Sequence, residues 1–289
     1  MPSYLITGVS RGIGFEFLRQ ISQDPANTVV GLVRDKAGTD KKIARELGEL
    51  KNVHIVQGDL SNYEELKSSV AETSRITGGS LDYIIANAAL ISTFSGLESF
   101  GSLADKPKEL TADLVESFTT NVVGNVHLFN LYIPLVLKGS VKKVITISTG
   151  LADGDASAKF GLTYSGPYSA SKAAMNLVVA KYSAEYSESD LLFLSISPGM
   201  VNTGQYDDGK IPLVIYYSQG MQLTSTATPE QGAKLQGMMA KFMEYAPHFK
   251  GPSTVEECVK DVLSVAYNAS LEKGDGGAFL SHHGDKQWI

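Results

Sequence analysis

Ser3-Tyr-Leu-Ile-Thr7, followed without interruption by Gly8-Val-Ser-Arg11-Gly12-Ile13-Gly14, decides the fold. The first five residues read as a short buried strand, and a helical stretch runs from Phe15 to Ser22. Strand, glycine turn and helix in direct succession form a phosphate-binding arrangement. Glycines let the backbone turn tightly and approach a pyrophosphate, while the helix N-terminus offers unpaired N–H groups and a partial positive charge. Thr7, Gly8, Gly12, Ile13 and Gly14 are therefore candidate cofactor contacts.

The rest of the chain repeats this alternation. Strands are expected over Thr28–Val33, Val53–Gln57, Leu81–Ala86, Lys143–Ser148, Leu191–Ser197 and Gly277–Ser281. Helices are expected over residues 40–50, 63–77 and 255–269, with a long one following Thr111 as its cap and another starting near Tyr168. Such alternation implies one doubly wound parallel sheet, an α/β single domain of the Rossmann type, with ligands at the carboxyl ends of the strands. The second strand ends in Arg34-Asp35, where the adenosine ribose of a dinucleotide would lie. An acidic residue there suits a free 2′-hydroxyl and an arginine suits a 2′-phosphate. Arg34 together with Arg11 favours NADP(H), with Asp35 the one residue pointing the other way. Asp59, before Leu60, is placed to receive an adenine amino group or to cap the following helix. Asn87 can brace neighbouring backbone.

Tyr168 and Lys172 lie four residues apart, on one face of the expected helix. A free tyrosine ionises only near pH ~10, and a cation beneath it favours the phenolate. The pair is a candidate proton donor with its tuner. Composition excludes other classes. With 289 residues, 43% hydrophobic and 19% charged, the chain is an ordinary globular protein without a membrane-spanning run. A net charge of −6 argues against general nucleic-acid binding, and the single Cys258 excludes an intramolecular disulfide and any cysteine-cluster metal site. Of five histidines, the adjacent His282 and His283 share neither a helix face nor a strand face, so no metal is expected. The start, Met1-Pro2-Ser3, leads straight into the strand, and an intracellular, cytoplasmic protein is expected.

Taken together, Thr7-Gly8-x-x-x-Gly12-x-Gly14, Asp59-Leu60, Asn87-Ala88-Ala89, Asn121, Ser148-Thr149, Tyr168-x-x-x-Lys172 and Pro198-Gly199-x-Val201-x-Thr203 resemble the short-chain dehydrogenase/reductase family, in its fungal and carbonyl-reductase-like members. The resemblance covers nearly the whole chain. It implies that Tyr168 protonates a carbonyl oxygen, that Lys172 lowers the tyrosine pKa and bonds the nicotinamide ribose, and that Asn121 holds a water linking the lysine to solvent. Thr203, with the backbone near Val201, would fix the carboxamide, and Pro198 and Gly199 belong to the same loop. Two departures stand out. Thr149 replaces the family's second serine as the residue polarising the substrate oxygen, with Ser148 as the fallback. Ala89 replaces a glycine, adding a methyl beside the nicotinamide.

The resemblance thus implies an NADPH-dependent reductase of a small-molecule carbonyl substrate. An NAD+-dependent alcohol dehydrogenase, a non-reducing cofactor sensor, and a biosynthetic isomerase or cyclase are the alternatives. The segment from about 204 to 250, rich in apolar residues including Ile211, Leu213, Tyr216, Tyr217, Met221, Leu223, Met238, Met239, Phe242, Met243 and Tyr245, is expected to be a substrate lid or wall for a bulky apolar compound. Family members commonly pair subunits through the helices of Asn121 and Tyr168, so a dimer or tetramer is expected, with Ala170, Ala173, Ala174 and Val178 permitting close packing.

Overall fold

The computed structural model describes residues 1–203, 214–217, 220–223 and 229–289. In chain order these form β1 (Ser3–Thr7), α1 (Gly12–Ile21), β2 (Thr28–Val33), α2 (Lys36–Glu46), β3 (Val53–Gln57), α3 (Tyr63–Ile76) and β4 (Tyr83–Ala86). Next come α4 (Pro107–Phe118), a π turn (Thr119–Val123), α5 (Gly124–Val136), β5 (Lys143–Ile147), α6 (Gly154–Phe160), α7 (Gly166–Glu185) and β6 (Leu192–Ser197). The chain closes with β7 (Val201–Asn202), β8 (Val214–Tyr217), β9 (Gly220–Leu223), α8 (Pro229–Tyr245), β10 (Ser253–Thr254), α9 (Val255–Asn268) and β11 (Phe279–Ser281).

The main sheet has seven strands in the order β11-β6-β5-β4-β1-β2-β3, and every pairing in it is parallel. Parallel strands joined by helices must be covered on both faces, which explains why β1 and β6 are buried along their whole length. One face packs Ile6, Val29 and Ile145 against Phe17 and Leu18 of α1 and Val259 and Val262 of α9. The other packs Leu5, Val30 and Val144 against Leu66 of α3, Phe129 and Tyr132 of α5, and Met175 and Val179 of α7. The strand order reverses between β1 and β4, so the crevice at their carboxyl ends is the natural place for a ligand. No helix among the described residues is long and apolar enough to cross a membrane.

Local hydrogen bonding shifts several expected boundaries. α2 begins at Lys36 rather than near residue 40 because Asp35 caps it, accepting from Gly38 N at 2.9 Å. Asp59 caps nothing: Asn62 accepts from Glu64 N and Glu65 N at the start of α3, while Asp59 Oδ1 accepts from Ser61 N at 2.9 Å and Ser61 Oγ at 2.8 Å. Thr111 lies inside α4, which starts at Pro107, and its Oγ1 donates back to Pro107 O at 2.7 Å. The single long helix expected around Asn121 is two α-helices joined by the π turn, which widens the backbone where a polar residue must be accommodated. The segment between β5 and Tyr168 contains α6.

Candidate active site

A cavity of about 1350 Å³ opens at the carboxyl edge of the sheet. Every residue named from the sequence as a catalytic or cofactor contact lines it, with the exception of Asn121. Its two ends have different chemistry.

At one end Gly8 closes β1 with φ of +76°, a left-handed conformation that costs glycine nothing. Gly14 presses so closely on this turn that a Cβ there would collide with the Gly8 carbonyl oxygen and with Asn87 Nδ2. Thr7 and Asn87 hold the two strands that frame it. Thr7 Oγ1 accepts from Asn87 N at 3.0 Å and Ala88 N at 2.9 Å, and Asn87 Nδ2 donates to Thr7 O at 3.0 Å. The first turn of α1 holds no acidic side chain, so its N-terminal field is uncancelled. Arg11 and Arg34 are both exposed and line this end, while the Asp35 carboxylate is bonded to the start of α2. The cradle therefore suits a dinucleotide, with cationic groups at its adenosine end.

The other end is built on β5 and α7. Ser165, which precedes α7, adopts a left-handed φ of +54° unusual for a residue with a side chain, and its Oγ donates to Gly96 O at 2.6 Å. This fixes the turn from which Tyr168 emerges, half-buried and lining the cavity. One helical turn on, Lys172 is 2% exposed, donates from Nζ to Ile147 O at 2.7 Å, and lies 5.9 Å from the centroid of the Tyr168 ring. Burial lowers its pKa from 10.5 to about 8, because the ammonium is taken out of water. Ser148 donates to Asn176 Oδ1 at 2.8 Å and is buried, whereas Thr149 is half-buried. Thr149 Oγ1 accepts from Leu151 N at 3.3 Å, which leaves its hydrogen to donate elsewhere. Asn121 is fully buried beneath the site. Its Oδ1 accepts from Leu90 N at 2.7 Å, and its Nδ2 donates to Leu90 O and to Ser171 Oγ, each at 3.0 Å. The asparagine thus ties the loop after β4 to α7, and its amide is taken up by Leu90 and Ser171.

Part of the cavity lining comes from α8. Met238, Met239, Phe242 and Tyr245 of α8 line the cavity, but Met243 points outward and is 54% exposed. Ile211 and Leu213 lie outside the described residues, as do the side chains of Tyr216, Tyr217, Met221 and Leu223. What the sequence analysis misses is the C-terminus. Trp288 is 4% exposed and stacks on Phe279 with centroids 4.2 Å apart. Its Nε1 donates to Asp153 Oδ2 at 2.8 Å and its N to Tyr245 Oη at 2.9 Å. Trp288 and Ile289 thereby complete the wall beside Thr149. The one tryptophan of the chain, next to its last residue, was the available signal, but nothing in chain order joins it to β5. Glu98 and Lys234, paired at 2.6 Å, join the loop after β4 to α8 across the same opening.

The two adjacent histidines lie at the edge of this region. His282 and His283 follow β11 in a turn, where the alternation of a strand and the spacing of a helix no longer apply, and their rings stand 3.9 Å apart.

Comparison with known proteins agrees with this geometry. The family model described as short chain dehydrogenase matches residues 3–208. The chain is 53% identical to the short chain dehydrogenase virK of Hypocrea virens and 48% identical to the short-chain dehydrogenase/reductase iacC of Pestalotiopsis fici, in each case over the whole of both chains. Among solved structures it is similar to the NADPH-bound carbonyl reductase from chicken fatty liver, with a TM-score of 0.72 at 23% identity over 99% of this chain and 98% of that one. The carbonyl reductase Sniffer of D. melanogaster gives a TM-score of 0.71 at 18% identity, with the same coverage.

Proposed function

Because the chain belongs to the short-chain dehydrogenase family, we propose that it is an NADPH-dependent carbonyl reductase whose substrate is a bulky, apolar ketone or aldehyde of the polyketide or secondary-metabolite type. The observation that carries this reading is the desolvated Lys172 ammonium, 5.9 Å from the Tyr168 ring, in a cavity that also holds the glycine turn of β1. NADPH, when bound, supplies the hydride. Gly8, Gly12, Ile13, Gly14 and the N-terminus of α1 take its pyrophosphate, and Arg11 and Arg34 its 2′-phosphate. Asp59 and Leu60 border the adenine, and Asn87 with the Pro198–Thr203 loop borders the nicotinamide.

The protein's own work is at the substrate oxygen. The Thr149 hydroxyl donates to it and opposes the charge that builds there, and the Tyr168 hydroxyl delivers the proton. Lys172, held by Ile147 O, makes that phenol easier to ionise by placing positive charge beneath it. Ser148 is committed to Asn176 and supports β5 rather than the substrate. The Asn121 side chain is spent on Leu90 and Ser171, so the water assigned to this residue falls to its main-chain carbonyl in the π turn. That carbonyl accepts from Asn125 Nδ2 at 2.9 Å and retains a second lone pair. Trp288, Phe242, Met239 and Leu97 exclude water from the substrate end.

The reading also includes a cytoplasmic homo-oligomer formed through α4 and α7. Val115 and Leu177 stand 60% and 61% exposed on these helices, which the family uses for subunit contact. The test is NADPH oxidation by the purified protein across ketones and aldehydes from small to polycyclic, with NADH in parallel. Turnover that requires NADPH and increases with substrate bulk supports the reading. Tight NADPH binding without turnover on any carbonyl overturns it.

A further inference from the structure

Against the Pro198–Thr203 segment, outside the lining of the cavity, Asp261 of α9 meets the turn that follows β11. One ligand atom from each of Asp261, His282 and His283 lies within 4.8 Å of the others. The turn is rigidly built. Ser281 N donates to Asp285 O at 2.7 Å, Gly284 N to Ser281 O at 2.9 Å, and His283 N to Ser281 Oγ at 3.1 Å. Asp285 Oδ1 accepts from Ser281 Oγ at 2.6 Å and from Gln287 N at 2.8 Å, and Gly284 turns the chain with φ of +81°. The two imidazoles are thereby presented side by side before anything binds, their planes 40° apart. His282 Nδ1 is buried with no hydrogen-bond partner among the described residues, a state that normally costs a polar atom free energy unless a missing partner supplies it.

We propose that Asp261, His282 and His283 form a binding site for a divalent first-row transition cation, Zn2+ by preference. Two imidazoles and a carboxylate are the donor set such ions favour, with water completing the coordination. Tetrahedral coordination at Zn–N of about 2.1 Å places ligand atoms about 3.4 Å apart. Closing the present separation needs only side-chain rotation, since His283 is exposed and Asp261 half-buried. Asp285, the next nearest carboxylate of the turn, adds negative charge that acts on both rings. The cation would clamp α9 to the end of β11 directly behind Gly199, whose added Cβ would meet the His282 ring at 2.6 Å. The site therefore stiffens the back of the Pro198–Thr203 segment without entering the cavity.

The test is a calorimetric titration of the tag-free, chelator-stripped full chain with ZnCl2, in the absence of nucleotide and substrate, together with thermal unfolding at each metal concentration. One saturable equivalent is expected, with a melting temperature that rises as the site fills. His283→Ala and Asp261→Asn should each weaken binding by at least about tenfold, and His283, being exposed, can be replaced without disturbing the fold. Absence of a saturable equivalent, or binding by the two variants indistinguishable from the parent, overturns the proposal. Neither result depends on whether the chain reduces a carbonyl.

Discussion

Replacing Lys172 by methionine should destroy turnover while changing the way stability depends on pH. The side chain is buried, and its lowered pKa measures the free energy of holding an ammonium out of water. A fall from 10.5 to about 8 corresponds to about 3 kcal/mol. In the unfolded chain the lysine keeps its proton up to its ordinary value, whereas in the fold it releases it near 8. Between those two values the unfolded state binds more protons, so stability rises with pH. The cost is fully present at pH 7, about 2 kcal/mol at pH 9 and about 1 kcal/mol at pH 10. Methionine fills a similar volume and carries no charge, so the variant lacks this slope. It also leaves Ile147 O without the Nζ donor, a loss of about 1–3 kcal/mol that does not vary with pH. Urea unfolding of cofactor-free parent and variant at pH 7, 8, 9 and 10, followed by Trp288 fluorescence, isolates the term. The parent should gain about 2 kcal/mol on the variant between pH 7 and pH 10. A difference between the two proteins that stays constant with pH, or moves the other way, would refute the claim that the site holds a desolvated cation.

Three further outcomes follow from the same geometry. Arg11→Ala and Arg34→Ala should each raise the KM for NADPH about tenfold or more, the loss of a charge-assisted contact to phosphate, and leave the KM for NADH nearly unchanged in steady-state assays. Thr149→Val, which keeps the shape and removes the hydroxyl, should lower kcat by about 10²–10³, whereas Ser148→Ala should act chiefly on thermal stability through the lost Asn176 bond. Trp288→Ala should cost about 3–5 kcal/mol in urea unfolding and, at a temperature where it remains folded, raise KM for large apolar ketones more than for small ones.

The sheet is legible in the sequence because each of its inner strands is a short, mostly apolar run between polar or glycine-bearing turns. β2 and β3 fall where the pattern places them, and β1 is followed at once by the turn that only glycine can make. The same holds for the site residues that close a strand, since a parallel sheet delivers all such ends to one edge. Helix starts are less legible, because Asp35 and Asn62 compete for capping with other short polar residues nearby, and the winner depends on which side chain reaches a free N–H. Asn121 is visible as a misfit in an apolar helix, but the π turn that resolves the misfit depends on the contacts with Leu90 and Ser171, which are distant in sequence. Trp288, Tyr245 and Asp153 are widely separated in the chain, and their junction exists only once α6, α8 and the C-terminus have packed. The facing of His282 and His283 is hidden for a related reason: periodicity describes strands and helices, and these residues occupy a turn.

The most direct test of the central claim is the turnover of Tyr168→Phe with a bulky ketone at saturating NADPH, measured beside its NADPH affinity. Removal of one hydroxyl should abolish measurable reduction while NADPH binds with nearly parental affinity, because the glycine turn, the arginines and Lys172 are untouched. Turnover near the parental rate would contradict the assignment of Tyr168 as the proton donor and with it the account of why Lys172 is buried beneath it.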